Sequence, residues 1–155
     1  MKTLENVLRI LDGKCVEYKK SEHEPVRTSE EAAKLRGVEL KTGVKALLLK
    51  TSEGKFIMVL IEADKKVDLK MMAQKENAKK LYLANQEEVL TETGCEPGGV
   101  PPFGHTKNGE PNQIKTYLDK NIFTNEFVNF NAGDKSVSVS MNGKDLDKVV
   151  NYIPF

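Results

Sequence analysis

Apolar positions along this chain change period several times, and each change marks an element. Leu4, Val7, Leu8 and Leu11 recur at i, i+3, i+4 and i+7, the spacing of an amphipathic helix. Thr3 is placed to cap it and Gly13 follows its end. Val16 and Tyr18 then alternate with polar residues, which predicts a short strand. His23-Glu24-Pro25-Val26 is extended, because a residue before proline avoids the helical region. Thr28-Ser29-Glu30-Glu31 opens a second helix carrying Ala32, Ala33 and Leu35. Thr28 and Glu31 have capping-box spacing and Gly37 is the stop.

Val44 to Lys50 and Phe56 to Glu62 are nearly continuous apolar runs around a glycine-containing loop. This predicts a hairpin covered on both faces, at the centre of a sheet. Asp68 starts a helix through Leu69, Met72 and Ala73, and Leu81 and Leu83 form a short extended piece. Asn85 caps a helix through Val89 and Leu90 that ends at Gly94. Gln113 to Leu118, Phe127 to Phe130 and Val137 to Met141 read as strands, the last two joined by Asn131-Ala132-Gly133-Asp134. Lys144 to Val150 reads as the last helix. Interspersed helices and strands with an antiparallel hairpin predict one mixed α/β (α+β) domain over residues 1–155.

One segment fits neither period. Six of the eight residues from Pro97 to Gly104 are Gly or Pro. Proline fixes φ and removes a donor, while glycine permits backbone shapes that other residues avoid. Such a run is a stiff loop. Read simply it is a structural turn. It also has the makings of a site, since the amides of Gly98 and Gly99 are open to close approach by a carbonyl, carboxylate or phosphate oxygen.

A second departure is Lys45. It enters the most apolar strand and shares a face with Leu47 and Leu49. Either its ammonium snorkels to solvent, or it binds an anion at the mouth of a pocket.

Composition narrows the classes. Lys plus Arg number 24 and Asp plus Glu 23, a net charge of +1, so the chain as a whole carries no nucleic-acid signature. Lys65-Lys66, Lys70, Lys75, Lys79-Lys80, Lys107 and Lys115 form either a local basic patch or ordinary solvated faces. No apolar run approaches the ~20 residues of a membrane span. The N-terminal segment carries Glu5, Arg9 and Asp12, unlike a signal peptide. Cys15 and Cys95 are far apart, and His23 and His105 complete no metal-ligand spacing. Free thiols in a reducing cytoplasm are the default, with no metal, no cofactor and no membrane partner expected.

The order and spacing of these features resemble the YbaK/ProX family, free-standing relatives of the editing domain inserted in bacterial prolyl-tRNA synthetases. The resemblance rests on His23-Glu24-Pro25, Thr28 to Ala33, Lys45-Ala46-Leu47, Gly98-Gly99-Val100-Pro101-Pro102-Phe103-Gly104 and Phe130-Asn131-Ala132-Gly133, and runs from about Val16 to Leu146. It implies a mixed, mostly antiparallel, barrel-like β-sheet flanked by helices. It also implies hydrolysis of the ester of a mischarged aminoacyl-tRNA, typically proline tRNA bearing alanine, cysteine or another small residue. The partners implied are the tRNA 3′ end and a delivery factor such as prolyl-tRNA synthetase. Lys45 would be catalytic, needed for activity and near the terminal adenosine, with Gly98 and Gly99 as catalytic amide donors. Thr28, Ser29, Pro101, Pro102, Phe103, Gly104, His105, Ala132 and Gly133 would contact substrate.

Three alternatives stay open. His105 is a general base or a structural residue. Cys95 with His105 is a thiol nucleophile pair or an inert buried thiol. The whole chain is an enzyme or a non-catalytic tRNA- or synthetase-binding module of the same fold.

Overall fold

In the computed structural model, which describes residues 1–26 and 28–155, the centre is the expected hairpin. The elements run α1 (Thr3–Gly13), β1 (Tyr18–Glu22), α2 (Ser29–Arg36), β2 (Val44–Thr51), β3 (Phe56–Glu62), α3 (Leu69–Glu76), β4 (Leu81–Leu83) and α4 (Gln86–Thr93). They continue with β5 (Thr106–Lys107), β6 (Glu110–Pro111), β7 (Thr116–Leu118), β8 (Phe127–Asn131), β9 (Val137–Asn142), α5 (Leu146–Val149) and β10 (Ile153–Pro154). β2 and β3 pair antiparallel from Val44 opposite Glu62 to Lys50 opposite Phe56. They lie inside a five-stranded sheet of order β10-β7-β3-β2-β4.

Alternate residues of the hairpin enter two different cores, which explains its unbroken apolar character. Val44, Leu48, Met58 and Leu60 pack with Val7, Leu11, Phe103, Phe130 and Val139. Leu49, Ile57, Val59 and Ile61 pack with Met72, Ala73, Leu81 and Tyr117. A second sheet, β1-β9-β8, is antiparallel throughout, and β5 and β6 form a separate ribbon. Parallel pairing occurs where β7 meets β3 and β10.

The barrel-like sheet implied by the resemblance is not formed. Among the described residues the two larger sheets meet through one isolated parallel bridge, Gly43 to Asn129, and do not close. The last helix is shorter than expected: Gly143–Asp145 is a 3-10 turn, and α5 covers Leu146–Val149. The strand expected over Gln113 to Leu118 is confined to Thr116–Leu118.

Capping follows the sequence except at α1, where Gly13 is the last helical residue and Lys14 the C-cap. Thr28, Asp68 and Asn85 each accept a backbone N–H of the first turn, and Asn85 and Glu88 form a full capping box. Thr3 does not cap α1; that position is Lys2. The Thr3 hydroxyl is buried and donates to the Thr93 carbonyl at 2.7 Å. Its single proton is thereby used, so Thr106 must donate to Thr3 across their 2.7 Å contact.

Candidate active site

A cavity of about 210 Å³ opens where the N-terminus of α2, the start of β2, the glycine–proline loop and the end of β8 converge. Thr28 and Ser29 line it from the start of α2, Gly43 from just before β2 and Lys45 from within it, Gly98 and Val100 from the loop, and Asn129 and Asn131 from β8. No carboxylate and no imidazole stands among the described residues that line it.

Lys45 is half-buried, and its Nζ donates to the Lys65 carbonyl at 2.6 Å. An ammonium has three donors, so two remain after this bond. Among the described residues Lys45 has no carboxylate partner. Lys65, by contrast, pairs with Glu62 at 2.8 Å and Asp119 at 3.6 Å.

The glycine–proline loop divides between the cavity and the scaffold. Gly98 is exposed, with φ at +90°, and its carbonyl accepts from Asn131 Nδ2. The buried Gly99 donates its N–H to the Glu96 carbonyl at 2.9 Å and accepts at its own carbonyl from Gly133 N–H at 2.9 Å. Its amide is therefore committed inside the protein, and Gly99 does not line the cavity. Among the described residues the N–H groups of Gly98 and Val100 have no acceptor.

The rest of the loop faces elsewhere. Pro101, Pro102 and Phe103 are buried, and the Phe103 ring meets Phe130 edge-on at 5.7 Å. Pro102, Phe103, Gly104 and His105 line a different cavity of about 200 Å³, beside Asn6 and Arg9. Gly104 sits at φ +79° with Val7 of α1 so near that an added Cβ would lie 2.9 Å from its Cγ2. Gly133 lies equally close to the α1 backbone, since a Cβ added there would stand 2.9 Å from Leu4 N, and Ala132 is fully buried. Of the residues the sequence singles out, Thr28, Ser29, Lys45 and Gly98 thus share the cavity. Gly99, Pro101, Pro102, Phe103, Gly104, His105, Ala132 and Gly133 hold the loop against α1 and β8.

Burial also separates the thiol and the imidazole. His105 donates Nε2–H to the Pro101 carbonyl at 2.7 Å, and burial lowers its pKa to about 4. Its second nitrogen is therefore unprotonated at neutral pH. The Cys95 thiol is buried, contacts the Thr93 carbonyl at 3.5 Å and has its pKa raised by burial. A thiolate–imidazolium pair requires both shifts in the opposite direction.

Sequence reasoning passes over Arg36. As the last residue of α2 it looks like a cation placed for the helix dipole. In the structure it lines the cavity. Its Nε donates to Ser138 Oγ at 2.8 Å, Nη1 to Asn129 Oδ1 at 2.6 Å and Nη2 to Asn131 Oδ1 at 2.6 Å. Burial lowers its pKa to about 10, which leaves it charged at neutral pH. Ser138 also contacts His23 Nε2 at 2.6 Å. No linear pattern relates Arg36 to residues about a hundred positions away; only the fold does.

The lysines of the expected basic patch divide as well. Lys65, Lys107 and Lys115 are in ion pairs with Glu62, Glu92 and Glu76. Among the described residues Lys66, Lys70, Lys75 and Lys79 are in none, and Lys80 lies over the Tyr82 ring at 5.1 Å. Among the described residues no helix is long and apolar enough to cross a membrane.

Comparison with known proteins places this geometry. Residues 23–149 match the model of the aminoacyl-tRNA editing domain. The chain is 31% identical over 145 residues to the prolyl-tRNA editing protein ProX of Acetoanaerobium sticklandii, covering 93% of this chain and 88% of that one. It is 30% identical over 142 residues to the multifunctional Ser/Thr-tRNA deacylase ProXp-y of Escherichia coli, covering 87% and 81%. A crystal structure described as a candidate trans-editing enzyme for prolyl-tRNA synthetase superposes with a TM-score of 0.82 at 24% identity, covering 100% of this chain and 96% of that one.

Proposed function

Since the chain belongs to the aminoacyl-tRNA editing domain family, we propose that it is a trans-acting deacylase that hydrolyses the ester of mischarged aminoacyl-tRNA. The observation that carries this reading is the meeting of Lys45 and Gly98 in one cavity whose described lining contains no carboxylate and no imidazole.

An aminoacyl ester is already activated. Its hydrolysis needs a placed water, donors for the carbonyl oxyanion and a grip on the RNA end. Gly98 and Val100 carry N–H groups without acceptors among the described residues and are the donors we assign. One such donor is worth about 2.7–4 kcal/mol in comparable sites. Lys45 moves its ammonium from the Lys65 carbonyl to the phosphate of the terminal adenosine, as a point charge. Thr28 and Ser29 open α2, whose first amides and dipole favour the same anion. With no lining imidazole or carboxylate, the water is activated by the substrate itself, through a ribose hydroxyl or the aminoacyl group. His105 is a structural residue in this scheme.

The substrate proposed is proline tRNA carrying alanine, cysteine or another small non-cognate residue. The name of the Ser/Thr-tRNA deacylase relative supports small aminoacyl esters as the class, and that of the prolyl-tRNA editing relative supports proline tRNA. The tRNA 3′ end is the partner, delivered in the cytoplasm by prolyl-tRNA synthetase or a similar factor. The lack of a side-chain base also favours a second reading, a binding module without turnover.

Ester hydrolysis separates the two. Proline tRNAs charged with alanine, cysteine, serine, threonine and proline are incubated with wild type and Lys45→Ala. Rapid loss of a mischarged species, abolished by the substitution, is expected. Intact tRNA binding with no turnover of any species refutes the deacylase and leaves the binding module.

A further inference from the structure

We propose that Arg36 is a positioning residue, which sets the peptide between Gly98 and Gly99 through Asn131; this rests on the deacylase reading above. The argument begins with donor counting. A guanidinium has five N–H donors and no acceptor. Every group bonded to it must therefore offer an oxygen. Asn131 offers Oδ1 to Nη2 at 2.6 Å, which turns its amide nitrogen the other way, onto the Gly98 carbonyl. Flipping that amide would set NH₂ against the guanidinium and a carbonyl oxygen against the Gly98 oxygen, two repulsions at once. Asn129 is oriented in the same manner, with Oδ1 on Nη1 and Nδ2 on Thr42 Oγ1 at 2.8 Å.

The Gly98–Gly99 peptide is thus clamped at both ends. Its carbonyl is held by Asn131, and its N–H by the Glu96 carbonyl at 2.9 Å. Packing does little at Gly98 itself: an added Cβ would meet only the flexible Lys135 side chain, at 3.4 Å. Between two glycines, a peptide plane without such bonds rotates readily. Its neighbours in the chain are the Gly98 and Val100 N–H groups assigned to the oxyanion. A misplacement of about 1 Å there costs roughly a hundredfold in rate. Arg36 acts on the chemistry through this chain of bonds.

The test compares wild type with Arg36→Gln, Arg36→Lys, Asn131→Ala and the Arg36→Gln/Asn131→Ala double variant. Each is assayed on the mischarged tRNA and on 2′(3′)-O-aminoacyl-adenosine, the same ester without a phosphate. Arg36→Gln and Asn131→Ala should each lower kcat by about 10–100-fold with little change in KM. Arg36→Lys should not rescue, since one ammonium cannot reproduce the planar fork. The double variant should be no worse than the poorer single one, and the losses should be equal on both substrates. A loss in KM that vanishes on the phosphate-free ester would make Arg36 a direct phosphate ligand and overturn the proposal. Additive losses, or full rescue by lysine, overturn it too.

Exchange of the Gly99 amide, the hydrogen-bonded one of the three, reads the same clamp without turnover. It should quicken alike in Arg36→Gln and Asn131→Ala while α3 is unaffected; an unchanged loop overturns the proposal. Should wild type hydrolyse no ester while the exchange result holds, it is the deacylase reading that fails.

Discussion

Gly104→Ala tests whether the far half of the glycine–proline loop serves packing or substrate. The new Cβ would stand 2.9 Å from Val7 Cγ2 and 3.2 Å from both Val7 Cα and N, and α1 backbone cannot yield as a side-chain tip does. Overpacking of that kind costs about 1–3 kcal/mol. The φ of +79° adds about 1–2 kcal/mol of strain for a residue with a Cβ. The sum, about 2–5 kcal/mol, corresponds in a chain of this size to a fall in Tm of about 4–20 °C. Thermal unfolding followed by circular dichroism measures it, and deacylation below the transition gives activity per folded molecule. The expected result is a large loss of stability with kcat nearly intact. An unchanged Tm with lost activity would show that Gly104 faces the substrate and would refute the packing argument.

Gly98→Ala should behave oppositely: its Cβ would meet only the flexible Lys135 side chain, which leaves a strain of about 1–2 kcal/mol from the positive φ, visible by the same melt, but turnover should collapse. Lys45→Ala loses one hydrogen bond to a carbonyl, so denaturant titration should show a loss of about 1–2 kcal/mol, while single-turnover deacylation falls by about a hundredfold or more. His105 has its pKa lowered from 6.5 to about 4, so the unfolded chain binds the extra proton between those values. Stability should therefore be level above about pH 6.5 and decline as pH falls towards 4, a dependence that His105→Gln should lessen in denaturant titrations. Cys95→Ser should retain full turnover, because the hydroxyl can keep the bond to the Thr93 carbonyl; an inactive but folded variant would restore the thiol mechanism.

Local signals in the chain were reliable where one physical effect dominates. The β2–β3 hairpin was legible because both its faces are covered, so its apolar run had one explanation. Caps at Thr28, Asp68 and Asn85 were legible because a side-chain oxygen three residues before a free N–H is a local event. The β5–β6 ribbon carried a usable signal that went unread. Asn108 and Gly109 both have positive φ, as a two-residue hairpin requires, but the flanking residues are polar and lack alternation. Thr3 showed the limit of capping rules, since a distant carbonyl at Thr93 competes for its hydroxyl. At the site, Lys45 stood out because a lysine in an apolar strand is costly and visible. Arg36 did not, because its partners come from β8 and β9. Glycine was ambiguous for a related reason: close approach to a ligand and close approach to a helix demand the same missing side chain, and only coordinates tell Gly98 from Gly104 and Gly133.

The lone bridge between Gly43 and Asn129 has a bearing on how such a cavity can diversify. One wall belongs to the five-stranded sheet, with its own ladder and the core around Met72 and Tyr117; the opposing wall hangs from the three-stranded sheet. Because among the described residues one bridge is the backbone seam between them, the ladder that sets the register of β2 and β3 does not run through β8 or α2, and polar residues there that face the cavity can change without touching it. Drift in substrate choice is then mechanically inexpensive: the frame that carries the lysine stays put while the facing surface is resculpted. Two relatives of comparable identity that bear the names of different esters are what such an arrangement would leave behind.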